Sequence, residues 1–301
     1  MRRALQWRAM TRSLALGPRT LVMGVLNVTP DSFSDGGLHL DPQHAIERGL
    51  RMLEEGADII DIGGESTRPG TSTAGSPRLR NEHAVVSAEE ELRRILPVIT
   101  ELRTRHPGCF LSVDTYKAKV AKVAVAAGAD IVNDVSGGTW DAEMPATMAR
   151  LRCGVVLMHS RGRPHEWAGL PRMRNAATEV RRGLVELAAR AVAAGVDRDR
   201  IALDPGFGFG KNFEENLALM RDFERFAELE FPLVAGVSRK SFLGRFIANA
   251  RGGEPPPAGE RDAASVAGAA ICALRGAHIV RAHEVRATVE ALAVVDAVLG
   301  A

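Results

Sequence analysis

Four polar side chains follow short apolar runs at separate points of the chain, and their types suit a polar ring as ligand. They are Asp114 in SVDT, Asn133 in IVND, Asp204 in LDPG and Lys240 in SRKS. A carboxylate in apolar surroundings is costly unless it meets a hydrogen-bond donor or a cation. Together the four side chains offer donors and acceptors, which favours a flat heterocycle with mixed edges, such as a guanine-like ring. The simpler alternative is that each Asp caps the helix that follows it.

A second group of side chains is cationic and indicates an anionic substrate. It consists of Arg68 in ESTRPG and of Arg281 and His283 in IVRAH. Residues two apart on a strand point to the same side, so Arg281 and His283 are expected to act together. Arg can bind phosphate oxygens through two parallel hydrogen bonds, and His can add a further donor. We therefore expect a phosphorylated substrate, while the alternative for Arg281 is a surface ion pair with Glu284.

Three weaker signals accompany these groups. Asn27 offers one hard oxygen ligand, which suits a Mg²⁺ that keeps several waters and is held by substrate phosphates; the alternative is a hydrogen bond to the loop backbone. Ser241 falls at the start of a predicted helix, where backbone N–H groups favour an anion such as a carboxylate. The segment DPGFGFGK is similar to a phosphate-binding loop, but it has the spacing of neither the dinucleotide motif nor the P-loop.

No arrangement in the sequence indicates nucleophilic catalysis. The serines lack a recognisable His and Asp set, and Cys109, Cys153 and Cys272 lie in or beside apolar runs. A thiol in apolar surroundings is not activated as a nucleophile. The expected chemistry is therefore positioning, charge stabilisation and exclusion of water.

The elements that carry these residues are short apolar runs that alternate with helical stretches. Eight such runs occur: LVMGVLN, DIIDIGG, FLSVDT, IVNDVSGG, GVVLMHS, IALDPG, PLVAGVS and AHIVRAH. Runs without strict alternation are typical of strands buried on both faces of a parallel sheet. Eight strand–helix units predict an α/β fold, a single-domain (β/α)8 TIM barrel whose active site lies at the carboxyl ends of the strands.

Three irregular segments and the N-terminus complete the predicted organisation. The loops NVTPDSFSDGGLHLDP and GGESTRPGTSTAGSPRLRNEHAVVS follow the first two runs, so we expect them to close over the barrel mouth. The proline-rich segment 249–262 is predicted to be an insertion in the last crossover. Residues 1–20 are expected to form an N-terminal tail that need not be ordered, and residues 21–301 the barrel domain.

The composition excludes several classes of partner. The chain has 301 residues, with 39 basic and 37 acidic side chains, and this balance argues against a nucleic-acid surface. No apolar run is long enough to span a membrane. The three cysteines have no paired spacing, which favours a reducing cytoplasm. We therefore expect a cytoplasmic protein whose partners are small-molecule substrates.

Taken in order, these segments resemble the dihydropteroate synthase family of the folate pathway. The match runs from about Met23 to Val285, and MGVLNVTPDSFSDGG and DIGGESTRPG are the family's two signature loops. SVDT, NDVSGG, LMH, DPGFGFGK, SRKSFLG and IVRAHEV follow in the family's order. The resemblance implies an enzyme that joins 6-hydroxymethyl-7,8-dihydropterin diphosphate to para-aminobenzoate and releases diphosphate. It also implies a homodimer and a Mg²⁺ cofactor.

The resemblance implies a role for each matching residue. The pterin diphosphate would be held by Thr67, Asp114, Asn133, Asp204, Lys240, Arg281 and His283. The para-aminobenzoate would be held by Phe33, Arg68, Pro69 and Ser238, and Asn27 would ligate Mg²⁺. The residues with catalytic roles would be Asp114, Lys240, Arg281 and His283. The implied mechanism is dissociative: diphosphate departs first, and the amine then attacks a cation at the exocyclic methylene of the pterin.

The sequence departs from the family pattern at four positions, and two other functions are compatible with part of the pattern. Ser160 and Arg161 follow LMH where an uncharged pair is usual, and Asn212 and Glu215 replace a Thr and a His. A pterin-dependent methyltransferase on the same barrel would not need the STRPG loop or the Arg281 and His283 pair. A non-catalytic pterin-binding paralogue should have eroded loops, whereas the signature loops are intact here.

Overall fold

The computed structural model describes residues 2–29, 42–66 and 86–300, which form one domain. A hairpin comes first, with β1 at Leu5–Ala9 and β2 at Arg12–Leu16. Eight parallel strands follow: β3 Leu21–Asn27, β4 Ile59–Gly63, β5 Phe110–Asp114, β6 Ile131–Asp134, β7 Gly154–Met158, β8 Ile201–Asp204, β9 Val234–Ala235 and β10 Ile279–Ala282. Each strand lies in one of the eight apolar runs, so the strand prediction is confirmed.

The eight parallel strands form a closed barrel. Their order around the barrel is β8, β7, β6, β5, β4, β3, β10 and β9. A parallel bridge between Leu203 and Leu233 joins the two ends of this series. The predicted (β/α)8 barrel is therefore confirmed.

The helices of the described residues surround the barrel. They are α1 Pro42–Glu54, α2 Ala88–Arg105, α3 Ala118–Ala126, α4 Met144–Leu151, α5 Ala176–Ala193, α6 Phe213–Arg221, α7 Ser241–Arg251, α8 Asp262–Leu274 and α9 Val285–Leu299. Two of them, α7 and α8, lie between β9 and β10, and the proline-rich segment 249–262 joins them. The prediction of an insertion in the last crossover is confirmed. No helix in the described part of the chain is long and apolar enough to cross a membrane.

Successive side chains of each strand point alternately toward the helices and into the barrel, so the strands contribute to two separate apolar regions. In β4, Ile60 and Ile62 pack with the helices, whereas Ile59 belongs to a cluster inside the barrel. The inner cluster takes one or two side chains from most strands, among them Met23, Ile131, Val156, Ala202, Val234 and Ile279. This apolar layer fills the lower part of the barrel, so the polar residues nearer the carboxyl ends of the strands have a rigid base.

The first twenty residues differ from the predicted tail. Residues 5–16 form the β1–β2 hairpin, and Trp7, Ala9, Leu14 and Leu16 are buried in the inner cluster of the barrel. Trp7 is fully buried, and its Nε1 donates a hydrogen bond of 2.8 Å to the carbonyl oxygen of Arg200. The hairpin is ordered because its inward side chains cover the apolar base of the barrel.

Candidate active site

A cavity of about 350 Å³ lies at the carboxyl ends of the strands. Its wall includes the predicted residues Asn27, Asp114, Asn133, Asp204, Ser238, Lys240, Arg281 and His283. The predicted convergence of these side chains on one rim is therefore confirmed. The other predicted residues, Phe33, Thr67, Arg68 and Pro69, lie outside the described residues.

A hydrogen-bond network behind the cavity wall is centred on Asp61 of β4, which is fully buried. The Oδ2 atom of Asp61 accepts hydrogen bonds from Arg281 Nε at 2.6 Å and from Asn133 Nδ2 at 2.9 Å. Arg281 Nη2 donates to Asp114 Oδ2 at 2.7 Å. The guanidinium of Arg281 thus lies between two carboxylates and is not in a surface ion pair with Glu284, so that alternative is wrong.

Asp61 was not among the predicted site residues, although its position in the sequence carried a signal. Asp61 is a single acidic residue within the apolar run IIDIG, two positions after the inward-facing Ile59. An alternation of this kind places the Asp side chain inside the barrel, where a charge requires a partner. The sequence could have indicated its orientation, but not that Arg281 is the partner.

Burial and neighbouring charges shift the pKa values of this network. Burial raises the pKa of Asp114 to about 7 against the opposing effect of Arg281, and the nearby Asp61 also raises it. Burial likewise raises the pKa of Asp204, against its hydrogen bond from Gly206 and the nearby Lys240 and Arg281. For Arg281, burial disfavours the charge, but Asp61 and Asp114 outweigh it and raise the pKa. The guanidinium of Arg281 therefore stays charged, and a further cation or hydrogen-bond donor would stabilise the ionised carboxyl groups of Asp114 and Asp204.

The helix-capping alternative is wrong for both Asp114 and Asp204. Asp204 Oδ1 accepts a hydrogen bond of 2.7 Å from the Gly206 backbone N–H, so one oxygen of this carboxylate stabilises the turn that follows β8. Asp114 pairs with Arg281 instead, and the N-cap residue of α3 is Lys117. The helix after β8, α6, has Asn212 as its N-cap. Neither Asp114 nor Asp204 therefore caps the helix that follows it.

Lys240 lies at a turn that is held in an unusual backbone conformation. The preceding residue, Arg239, has a φ of 59°, in the left-handed region that a non-glycine residue rarely adopts. Its side chain donates to Asp262 at 2.7 Å and to Glu284 at 3.2 Å, and its backbone N–H donates to Ser265 Oγ at 2.8 Å. These contacts fix the turn, and Lys240 Nζ then lies 4.1 Å from the centre of the Phe209 ring.

Two predicted anion-binding features meet beside this turn. Ser238 Oγ and His283 Nδ1 are 2.9 Å apart, and the His283 backbone N–H donates to the same Oγ at 3.2 Å. Ser241 is the first residue of α7, which confirms its predicted place at a helix N-terminus, and it also lines the cavity. One end of the cavity therefore combines a histidine, a serine and a helix N-terminus, which together favour an anion.

The Asn27 side chain fits a metal ion only with help from a substrate. Asn27 ends β3 and lines the same cavity as Arg281 and His283. Among the described residues, no group of three or more His, Cys, Asp or Glu side chains could hold a metal ion. One amide oxygen suits a Mg²⁺ whose other ligands are diphosphate oxygens and water.

The lysine of the DPGFGFGK segment does not face the cavity. Lys211 is buried, and its Nζ donates to the carbonyl oxygens of His159, Gly206 and Phe209 at 3.0, 2.8 and 3.1 Å. The lysine therefore binds the backbone of its own loop, which places Phe209 in the cavity wall beneath Lys240.

The departures from the family pattern prove to be structural. Asn212 and Glu215 form a capping box at the start of α6, with hydrogen bonds of 2.9 and 2.8 Å. Arg161 lies 3.8 Å from the same Glu215, so two of the departures are in contact. None of these three residues is among the described residues that line the cavity.

The barrel and its cavity define a class of protein, a (β/α)8 enzyme whose cavity combines groups suited to a polar ring with groups suited to an anion. Comparisons with known proteins agree. The model of the pterin binding enzyme family matches residues 23–283. A dihydropteroate synthase of Mycobacterium leprae is 46% identical over 93% of this chain and 94% of its own length.

Solved structures give the same result. A Xanthomonas albilineans dihydropteroate synthase with 4-aminobenzoic acid is 42% identical, with a TM-score of 0.86 over 99% of this chain and 100% of that one. The same enzyme in complex with 7,8-dihydropteroate is 41% identical, with a TM-score of 0.83 over 98% and 99% of the two chains. This chain belongs to the dihydropteroate synthase family of pterin binding enzymes, and it is a transferase.

Proposed function

We propose that this enzyme joins 6-hydroxymethyl-7,8-dihydropterin diphosphate to para-aminobenzoate, giving 7,8-dihydropteroate and diphosphate. The observation that carries the proposal is the single cavity in which Asp114, Asn133, Asp204 and Lys240 adjoin Arg281 and His283. The first set suits the edges of a pterin ring and the second suits a diphosphate. The family relatives with bound 4-aminobenzoic acid and 7,8-dihydropteroate support the same reaction.

The pterin is held first. The carboxyl groups of Asp114 and Asp204 and the amide of Asn133 bind the ring edges, and Lys240 donates to a ring acceptor. The Phe209 ring beneath Lys240 limits the positions of the ammonium group. Burial makes each of these hydrogen bonds stronger than the same bond in water.

The diphosphate then leaves. The bond between the exocyclic methylene and the diphosphate oxygen breaks, and the electron pair departs with that oxygen. Arg281 and His283 stabilise the developing negative charge, and the electron-rich pterin carries the positive charge on the methylene. A bound Mg²⁺, with Asn27 as one ligand, would supply further charge stabilisation on the diphosphate.

Attack by para-aminobenzoate completes the reaction. Its nitrogen forms the bond to the methylene carbon and loses one proton, which the released diphosphate can accept. Ser238 and Arg68 would hold the aminobenzoate, with Phe33 and Pro69 closing over it; the last three lie outside the described residues. Closure of the site excludes water, which would otherwise capture the methylene cation.

A coupled assay tests this proposal. Purified protein is given pterin diphosphate, Mg²⁺ and para-aminobenzoate, and both diphosphate and dihydropteroate are followed. We expect the two products in equal amounts. Diphosphate without dihydropteroate would mean a failed acceptor site, and neither product from folded protein would favour the non-catalytic paralogue. Omission of Mg²⁺ should lower the rate of diphosphate release.

We also propose that the enzyme is a homodimer and that a second copy covers an exposed apolar face on α8 and α9. The face carries Ile271 and Leu274 on α8 and Val294 and Val298 on α9, the last two exposed by 66% and 73%. The two helices pack against each other. An apolar patch that spans two helices is typical of an interface, and self-association through one patch gives two-fold symmetry. Sedimentation of the wild type and of Val294→Glu should give a dimer and a monomer, respectively.

A further inference from the structure

We propose that Asp61 is a positioning residue for pterin binding, which acts by fixing the orientation of the Asn133 amide and of the Arg281 guanidinium. The inference rests on the proposed function and adds to it a residue that does not line the cavity. Asp61 is fully buried in β4 and is not among the described residues of the cavity wall. Its effect on a ligand must therefore be transmitted by the two side chains that it binds.

One oxygen atom of Asp61 sets both orientations. Oδ2 accepts from Asn133 Nδ2 at 2.9 Å and from Arg281 Nε at 2.6 Å. A carboxylate paired with a guanidinium can only accept hydrogen bonds, so it selects the NH2 end of the Asn133 amide. The carbonyl oxygen of Asn133 is then the end left for the cavity, where it accepts from an N–H donor of the ring.

The same carboxylate limits the ways in which Arg281 can bind. Nε is used by Asp61 and Nη2 by Asp114 at 2.7 Å, so the guanidinium plane is fixed at two points. Among the described residues, no side chain or backbone oxygen binds Nη1, so this nitrogen is the one left to meet the substrate. A guanidinium fixed in this way loses little rotamer entropy when it binds an anion.

The consequence is specificity for one edge of the ring. If the Asn133 amide turned over, it would present a donor to a ring donor, and binding would lose a hydrogen bond and gain a repulsion. Asp61 prevents this turn because the amide oxygen would then face a carboxylate oxygen. Asp61 therefore favours rings that place an N–H opposite Asn133.

Two variants of Asp61 separate orientation from charge. Asp61→Ala removes the acceptor, so it should weaken binding of the pterin diphosphate by about 30-fold or more. Asp61→Asn can keep an oxygen at the Oδ2 position, so its loss should be smaller, about 3- to 10-fold. The probe is 6-hydroxymethyl-7,8-dihydropterin diphosphate, titrated calorimetrically without para-aminobenzoate, with the thermal midpoint measured alongside.

Ser112 provides the matched control. It pairs with Asp61 in register on β5 and is likewise a fully buried polar residue. Ser112→Ala should leave the affinity for the pterin diphosphate within about twofold of the wild type, because it removes no hydrogen bond to Asn133 or Arg281.

A double-mutant cycle tests whether Asp61 acts through Asn133. In an Asn133→Ala background, Asp61→Ala should cost clearly less affinity than in the wild type, because the amide that it orients is gone. Equal losses in the two backgrounds would overturn the inference that Asp61 acts through the Asn133 amide. So would an Asp61→Ala variant with a lower thermal midpoint but unchanged affinity for the pterin diphosphate, since that is a purely structural role. A wild type that binds the pterin but yields no dihydropteroate would refute the proposed function alone.

Discussion

At the scale of single residues, the cavity is a set of buried charges held apart by fixed partners. Arg281 joins Asp61 and Asp114, so the carboxylates are kept in place without a ligand. Lys240 lies above an aromatic ring and lines the same cavity as Asp204. The side chains are therefore arranged before the substrate arrives, which lowers the cost of binding it.

Lys240 is the residue whose loss should most directly weaken binding of the pterin. Lys240→Ala removes a charged donor from a buried site, so KM for the pterin diphosphate should rise by about 10- to 100-fold. Steady-state kinetics at saturating para-aminobenzoate provide the measurement. Lys119→Ala is the control, because that lysine is exposed on α3. Turnover and KM close to wild type in Lys240→Ala would contradict the assignment.

Because burial shifts the pKa of His159, the stability of the folded protein is expected to depend on pH. Burial, with a smaller effect of Lys211, lowers the pKa of His159 to about 2 from an ordinary value of 6.5. Between these values the unfolded chain binds a proton and the folded protein does not, so stability falls as the pH falls below 6.5. The loss from this residue is about 2 kcal/mol between pH 6.5 and pH 5.

A Gln at position 159 removes this dependence. Urea unfolding gives the unfolding free energy of His159→Gln and of the wild type at pH 6.5 and at pH 5. The stability of the variant relative to the wild type should be higher at pH 5 than at pH 6.5. His106→Gln makes the same change at an exposed position and is the control. A difference that does not change with pH would show that His159 does not titrate in this way.

At the scale of elements, the turn between β9 and α7 is the part of the site that depends most on its surroundings. Arg239 keeps a positive φ because Asp262, Glu284 and Ser265 all bind it. Arg261, from the proline-rich segment, adds a hydrogen bond of 3.1 Å to the Arg239 carbonyl oxygen. Strained backbone of this kind persists only when several contacts hold it.

Weakening one of these contacts should affect binding through the turn. Asp262→Asn loses the charged partner of Arg239, so Lys240 should be held less firmly and KM for the pterin diphosphate should rise by about 2- to 10-fold. Asp199→Asn breaks an ion pair with Arg8 near the opposite end of the barrel and is the control. If Asp262→Asn lowers only the thermal midpoint, the turn does not position Lys240.

At the scale of the whole molecule, the N-terminal hairpin belongs to the barrel. Trp7, Leu14 and Leu16 pack with strand residues such as Met23 and Ile59 inside the barrel. Without them, the apolar base of the barrel would face water. The hairpin therefore contributes to the stability of the domain that carries the site.

Trp7→Ala should measure this contribution. Removal of a fully buried Trp side chain and its hydrogen bond to Arg200 should cost about 3–5 kcal/mol of unfolding free energy. Urea unfolding provides the measurement, and Gln6→Ala, at an exposed position of the same strand, is the control. A loss below about 1 kcal/mol would mean that the hairpin separates from the barrel before the barrel unfolds.

The amino-acid sequence by itself determined the architecture and the polar residues that the strand ends bring to the cavity. Burial on both faces favours β-branched, apolar strands, and this pattern is local, so all eight strands could be recognised. Asp114, Asn133 and Asp204 lie at the carboxyl ends of their strands, and Lys240 lies in the turn after β9. The barrel brings strand ends together whatever lies between them.

Only the tertiary structure decided which side chains pair. Asp61 and Arg281 are 220 positions apart, and Ser238 and His283 are 45 apart, so no local pattern specifies either contact. The hairpin was missed for the same reason, since its short strands become stable only against the barrel base. Strand formation depends on nearby residues, whereas the choice of a buried partner depends on which distant residues the closed barrel places within reach.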